Sequence, residues 1–259
     1  MNLAPKPLAS KPLAPTPLAS PLQNKLLAAL SPEVQQRLFP LLQIYSLPLG
    51  KAVYESGDIL SHAYFPTDAI VSLLYVMQDG ASAEISVVGN DGFIGIAVLM
   101  GGNSTPWRAV VQSGGLSFRL PVKVLQDEFN CHGELLTLLL RYSQTLITQM
   151  AQTAVCNRHH TIQQQLCRWL LISLERLPDN KLRMTQELIA NMLGVRREGV
   201  TEAAGKLQKL GIIKYSRGRI EVLNQQGLER LCCECYQVVK TKADHLMNYK
   251  LKPRAPLHR

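Results

Sequence analysis

No apolar run in this 259-residue chain approaches the ~20 residues that a helix needs to cross a bilayer, so a transmembrane span is not expected. No hydrophobic core of a signal peptide follows Lys6 and Lys11, which are interleaved with prolines. Cysteine is sparse, with none before Cys131. Cys131, Cys156, Cys167, Cys232, Cys233 and Cys235 do not form a secreted disulfide framework, so the chain reads as cytoplasmic. No nucleophile elbow, no phosphate-cradling glycine loop ahead of a helix and no zincin spacing is found, which argues against an enzyme. The length allows two modest domains, each with its own core.

Proline is plentiful, but at one end. The first 21 residues repeat KPLA and PLAS units with prolines at 5, 7, 12, 15, 17 and 21. Such a segment packs no core and reads as a polyproline-like arm over residues 1–24. Charge is also unevenly placed. Residues 1–180 are balanced, and the whole formal charge of +9 falls in residues 181–259. A basic C-terminal region on a neutral partner is the footprint of a polyanion binder. A membrane surface is the competing account, and it fits less well because the basic residues lie on a folded motif.

That motif is residues 185–223. Thr185 can cap a helix whose apolar face is Ile189, Met192 and Leu193, with small Ala190 where a second helix crosses. Gly194 ends it, and Val195 begins a tight turn. A second helix runs from about Arg196 to Leu210, burying Val200, Ala203, Ala204 and Leu207. Gly211 closes it. Two short alternating segments, 212–215 and 220–223, flank a turn at Ser216-Arg217-Gly218-Arg219. This is the layout of a winged helix-turn-helix, in which the second helix enters the DNA major groove N-terminal end first. Arg196, Arg197, Glu198, Thr201 and Glu202 are therefore the candidate base-facing residues, since arginine pairs with guanine and glutamate accepts from cytosine. Lys214, Arg217 and Arg219 are the candidate phosphate contacts of the wing. A plain helix-loop-helix with scattered surface charge is the blander alternative.

Between about Leu47 and Leu120, short apolar runs alternate with turns rich in Gly, Asn and Asp. Ala69–Met77, Ala83–Val88 and Ala109–Gln112 read as strands of an all-β barrel or roll. Leu26–Leu42 reads as helical, with Ser31-Pro32-Glu33 as cap and first turn. Val122–Phe129 is a short helix, and a long one runs from about Gly133 to Val155. In it Leu135, Leu139, Tyr142, Leu146 and Met150 recur at three- and four-residue steps. That stripe fits a helix packed on another helix, its own copy in a dimer being the expected partner and a core role within one chain the alternative. Thr161–Leu177 continues as a helix, and Pro178-Asp179-Asn180 ends it. Cys232-Cys233-Glu234-Cys235 is dense enough to suggest metal or redox chemistry, but it lacks a second cluster at zinc spacing, and three cysteines on one helix cannot face one ion. Cys156-Asn157-Arg158-His159-His160 could in principle supply metal ligands, but His159 and His160 point to different helix faces, and a helix junction is the favoured reading. No metal is expected.

This order of β-roll, long helix and winged helix-turn-helix resembles the CRP/FNR family of bacterial transcription regulators over roughly residues 30–235. The most specific matches are Gly57-Asp58, Asp91-Gly92-Phe93-Ile94-Gly95 and Gly194–Leu207. The resemblance implies a homodimer in which an effector in the roll re-aims two readers, with RNA polymerase as a further partner. It implies that Arg197 and Glu198 form the base-reading pair, while Glu202 stands where the cyclic-AMP type carries an arginine. Ile96 and the Pro106-Trp107 pair replace the family's glutamate and Arg-Ser contacts to cyclic nucleotide, with Arg108 one or two residues late as a weak ligand candidate. Unpaired ligand groups cost about 1–3 kcal/mol each, more for a charge, so the usual cyclic-AMP binding is not expected and no cofactor is assigned.

The expectation is thus an α+β chain. A jelly-roll-like β-roll fills 25–130, a dimerisation helix 131–157, a DNA-binding domain 158–236 and a basic tail 237–259. Its partners are double-stranded DNA and a second copy of itself, with no membrane. A ligand-gated sensor acting mainly through a protein partner is the alternative.

Overall fold

The computed structural model describes residues 19–102, 104–177 and 180–248. The proline-rich repeats up to Leu18, Pro178-Asp179 and the basic residues from Tyr249 onward lie outside that range.

The chain enters through Asn24, which is fixed in place and is not part of an unpacked arm. Its side chain is buried, donates to the carbonyls of Pro66 and Gly92 at 2.9 and 2.8 Å, and accepts from the N–H groups of Leu26 and Leu27. The expected single helix over 26–42 is broken instead into α1 (Lys25–Ala28), α2 (Pro32–Leu38) and a 3-10 turn (Phe39–Leu41). Pro32 is the cause, because it holds Ser31 extended at ψ 155° and so restarts the helix.

Seven strands follow: β1 (Gln43–Leu47), β2 (Ala52–Tyr54), β3 (His62–Pro66), β4 (Ile70–Val76), β5 (Ser82–Val88), β6 (Arg108–Ser113) and β7 (Gly115–Pro121). They form two antiparallel sheets, ordered β1-β7-β3 and β2-β6-β4-β5. Leu47, Phe65, Val71, Val111 and Leu120 fill the space between them. A side chain of this size contributes about 1.5–3 kcal/mol on burial. This is the expected roll, with its strand positions met to within a residue or two.

After α3 (Val122–Asn130), the long α4 (Glu134–His159) lies along the roll. Leu135, Leu139, Tyr142 and Leu146, expected at a dimer interface, are instead at most 5% exposed and belong to the core of the roll, with Met150 partly buried against it. The Phe93 ring is the reason. It stacks on Phe65 with centroids 5.6 Å apart and meets Tyr142 at 5.2 Å. Gly92 makes this possible, since a Cβ there would collide with the Tyr142 ring. The Asp91-Gly92-Phe93 motif therefore fastens α4 to the roll. The opposite face of α4 is left open, with Leu140, Ile147 and Val155 about half exposed.

The reader is built from α5 (Ile162–Leu174), β8 (Lys181–Arg183), α6 (Gln186–Leu193), α7 (Arg197–Lys209), β9 (Ile213–Ser216), β10 (Arg219–Val222) and α8 (Gln225–Leu231). Its core is continuous with Ile70, Leu74 and Val87 on the outer side of the β4–β5 sheet. An ion pair between a buried arginine and a half-buried aspartate reinforces that docking. Arg176 grips Asp91 with both Nε (3.0 Å) and Nη2 (2.7 Å), the bidentate geometry that a guanidinium favours. Beside it, Glu84 on β5 is buried under α5. Burial pushes its carboxyl up to about 7, against the opposing pull of Arg168 and Arg176.

The chain does not pass into a tail at residue 237. Helix α9 (Cys235–Asn248) packs back along α4. Tyr236 and Val239 are buried, and Glu175 receives the Tyr236 hydroxyl at 2.6 Å and the Lys240 ammonium at 3.0 Å.

Candidate nucleic-acid interface

Thr185 caps α6 as expected, its Oγ1 accepting from the Leu188 N–H at 3.2 Å. Gly194 ends that helix in the left-handed region at φ 65°. Ile189, Ala190, Met192 and Leu193 turn inward against Val200, Ala203, Ala204 and Leu207 of α7. With its apolar stripe spent, α7 presents Arg197, Glu198, Thr201 and Glu202 to solvent along its N-terminal half. Arg196 occupies the N-cap position, and no side chain caps α7. The first N–H groups of that helix therefore remain free of side-chain acceptors, and such groups suit a phosphate oxygen.

Two of these residues are positioned by others. The Thr201 hydroxyl lies 2.8 Å from Gln186 Oε1 and 3.0 Å from the Arg197 carbonyl, so the first helix of the motif steadies the second. Glu202 pairs with Lys206 one turn on, at 2.8 Å, and that hydrogen bond and charge hold its carboxyl below the usual range. An exposed pair of this kind holds a side chain only loosely, so Glu202 remains free to contact another group.

The wing is β9 and β10, joined by a two-residue turn in which both Arg217 (φ 50°) and Gly218 (φ 72°) take positive φ. This is the turn that matches the twist of a hairpin. Lys214, Arg217 and Arg219 are exposed on it. Tyr215 fixes the wing to the reader. Its hydroxyl donates to the Met184 carbonyl at 2.8 Å, and its N–H donates to Gln208 Oε1 at 2.7 Å. Burial raises the Tyr215 pKa, and the nearby Arg197 charge draws it back. A groove of about 720 Å³ runs between wing and reader, lined by residues that include Gln186, Arg197, Thr201, Gln208, Tyr215 and Arg217.

Sequence reasoning missed Gln186, Gln208 and Arg183. Strand β8 pairs with β10 and sets Arg183 opposite Arg219, adding a basic residue to the wing. Three residues are too short for a periodicity to show, although the basic pair flanking Leu182 was a usable sign.

In the roll, Ile96 is 5% exposed and starts a 3-10 turn (Ile96–Leu99). The Trp107 indole donates to the Tyr54 hydroxyl at 3.0 Å, and burial raises the Tyr54 pKa to about 12. Arg108, the weak ligand candidate, is engaged with Glu55 at 2.9 Å on the surface. Cys232, Cys233 and Cys235 do not share one helix, contrary to the expectation from their spacing. Helix α8 stops at Leu231 and Cys232 is extended, so Cys233 lies outside any helix and can converge with Cys235. Both meet Cys156 and His160 from the end of α4.

Residues 164–231 match the family model described as the Crp-like helix-turn-helix domain. The chain is 24% identical over 198 residues to the global nitrogen regulator of Synechococcus elongatus, covering 73% of this chain and 89% of that protein. It superposes on FixK2 from Bradyrhizobium japonicum with a TM-score of 0.64 at 17% identity, over 74% of this chain and 98% of that one. TTHB099, a CRP family regulator from Thermus thermophilus, matches with a TM-score of 0.60 at 17% identity, over 73% and 95% of the two chains. With roll, long helix and a Crp-like helix-turn-helix domain over residues 164–231 in this order, the chain has the fold of the CRP/FNR regulators it superposes on.

Proposed function

We propose that the protein is a homodimeric, sequence-specific reader of double-stranded DNA, acting in the cytoplasm, whose roll does not bind cyclic AMP in the family's usual way. The observation that carries this reading is the exposed, charged N-terminal half of α7 standing beside a basic wing. In it Arg197 and Glu198 read base edges in the major groove, while Lys214, Arg217, Arg219 and Arg183 hold phosphates. Thr201 and Glu202 supply further contacts on the same face.

The dimer forms through the open face of α4, and not through the stripe that the roll consumes. Leu140, Gln144, Ile147, Ala151 and Val155 are all exposed and recur at three- and four-residue steps. Scattered apolar residues on a surface are ordinary, but a stripe on an open face of a long helix fits a helical partner. A two-fold axis along α4 gives two readers for two half-sites.

The roll differs from a cyclic-AMP sensor for a chemical reason. Ile96 offers no acceptor for a ribose hydroxyl, Pro106 and Trp107 offer no cation for a phosphate, and Arg108 already has Glu55.

Replacing Arg197 by alanine tests the assignment of the reader. Binding to a specific site should weaken by about 10–100-fold, with random DNA little affected. In the same titrations, Lys214→Ala and Arg217→Ala should weaken all sequences alike and lower the salt slope by about 1 each. Equal losses on specific and random DNA for Arg197→Ala would make Arg197 a phosphate contact and leave base reading to other residues.

A further inference from the structure

The end of α4 and the α8–α9 junction bring four metal-ligating side chains together. Cys156 and His160 stand one turn apart, and Cys233 and Cys235 reach them from 77 and 75 residues downstream. The ligand atoms all lie within 4.8 Å of one another. Cys156 Sγ is 3.6 Å from Cys233 Sγ, and Cys235 Sγ is 3.4 Å from His160 Nδ1. Zinc–sulfur bonds of about 2.3 Å in a tetrahedron place neighbouring sulfurs about 3.7 Å apart, so these spacings fit one central ion. An iron–sulfur cubane sets a separate iron behind each ligand and needs a wider ring than this.

The surroundings suit a closed metal site. The three cysteines are at most 6% exposed. His160 turns Nδ1 toward the sulfurs and Nε2 toward Glu234 Oε2 at 3.4 Å, the carboxylate–histidine arrangement that orients a metal-bound imidazole. Gln152 Nε2 donates to Cys235 Sγ at 3.0 Å, as a donor does to a thiolate. Three thiolates around a divalent ion carry one net negative charge. The buried guanidinium of Arg168 donates to Thr153 Oγ1 at 3.2 Å, on the turn of α4 just before Cys156.

We propose that Cys156, His160, Cys233 and Cys235 bind a single zinc ion. With four protein ligands the site has no open position, so it is structural and not catalytic. It fastens the end of the long helix to the point where the chain leaves the reader and begins α9. Because α9 packs back on α4, the ion fixes how the reader hangs from that helix.

The test is metal analysis of the full-length chain purified without chelator under air-free conditions. About one zinc per chain is expected, as a folded structural site retains its ion. Cys131→Ser, an exposed thiol outside the cluster, should keep the full complement, and Cys233→Ser should lose it. If Cys233→Ser does not fold, two further measurements apply. Cobalt exchanged into the unaltered chain should show the visible bands and sulfur-to-metal charge transfer of a tetrahedral thiolate site. Glu234→Gln, at a side chain 74% exposed, should lower zinc affinity about tenfold in competition with a chelator. A chain without metal that takes up neither zinc nor cobalt would overturn the proposal. So would bound iron with inorganic sulfide, or a Cys156–Cys233 disulfide in the air-free protein.

Discussion

Ile147→Glu leaves the protein folded and monomeric, and its binding to a two-half-site DNA collapses. The side chain is 58% exposed in one chain, so glutamate costs the folded subunit little. On the two-fold axis proposed for α4, the same position lies near its own copy in the partner. Two carboxylates there would be desolvated together, with uncharged Gln144 and Ala151 as their neighbours on the stripe. Burying unpaired charge costs several kcal/mol per ion after relaxation. A dimer of ordinary affinity does not survive that. Sedimentation would show a single-chain species, and circular dichroism an unchanged fold. Each remaining reader contacts one half-site, so affinity falls by the effective concentration that linkage supplied, on the order of 10²–10⁴-fold. The control is Leu139→Ala on the consumed stripe. It should destabilise the subunit by about 2–5 kcal/mol, because Leu139 is fully buried in the core of the roll. A dimer untouched by Ile147→Glu would remove α4 as the interface.

The second large effect is the pH dependence that Glu84 contributes. Its carboxyl is held at about 7 in the folded chain, against a reference of 4.5, chiefly because it is buried under α5. Below about pH 4.5, folded and unfolded chains both carry the proton, and the group costs nothing. Between 4.5 and 7 the folded chain retains a proton that the unfolded chain has lost, so stability falls as pH rises. Above 7 the folded chain carries a buried carboxylate and the loss is complete. The difference amounts to about 3 kcal/mol. Glu84→Gln keeps the shape and removes the titration. Denaturant unfolding of the two proteins across pH 4.5 to 8.5 should give curves that diverge with rising pH, the variant becoming the more stable. Parallel curves would place the titrating group elsewhere. Because Glu84 lies between roll and reader, the same titration bears on how firmly the two are docked.

Much of this was legible in the sequence where a local rule decides the outcome. Thr185, Gly194 and the Arg217-Gly218 turn each act on their own neighbours, and all are found as the sequence implies. The strands of the roll and the extent of α4 followed from periodicity in the same way. What the sequence concealed depends on tertiary contact. Leu135, Leu139, Tyr142 and Leu146 form an apolar stripe whatever they pack on. Only the placement of Tyr142 over Gly92 and against Phe93 decides that the roll takes them. Cys233 and Cys235 have no second cluster at a readable spacing, because their partners lie on the far side of the whole reader. The helix break at Cys232, which frees Cys233 from a helix, leaves no mark in composition.

The central claim is that two copies of this chain read a specific duplex sequence together. Selection of genomic fragments by the full-length protein, followed by sequencing, tests it directly. The account predicts enriched fragments sharing an inverted repeat with half-site centres about one helical turn, ~10–10.5 base pairs, or a multiple of it apart. Binding to them should weaken steeply with added salt. Recovery of fragments with no shared sequence, or none above the background of random DNA, would contradict it.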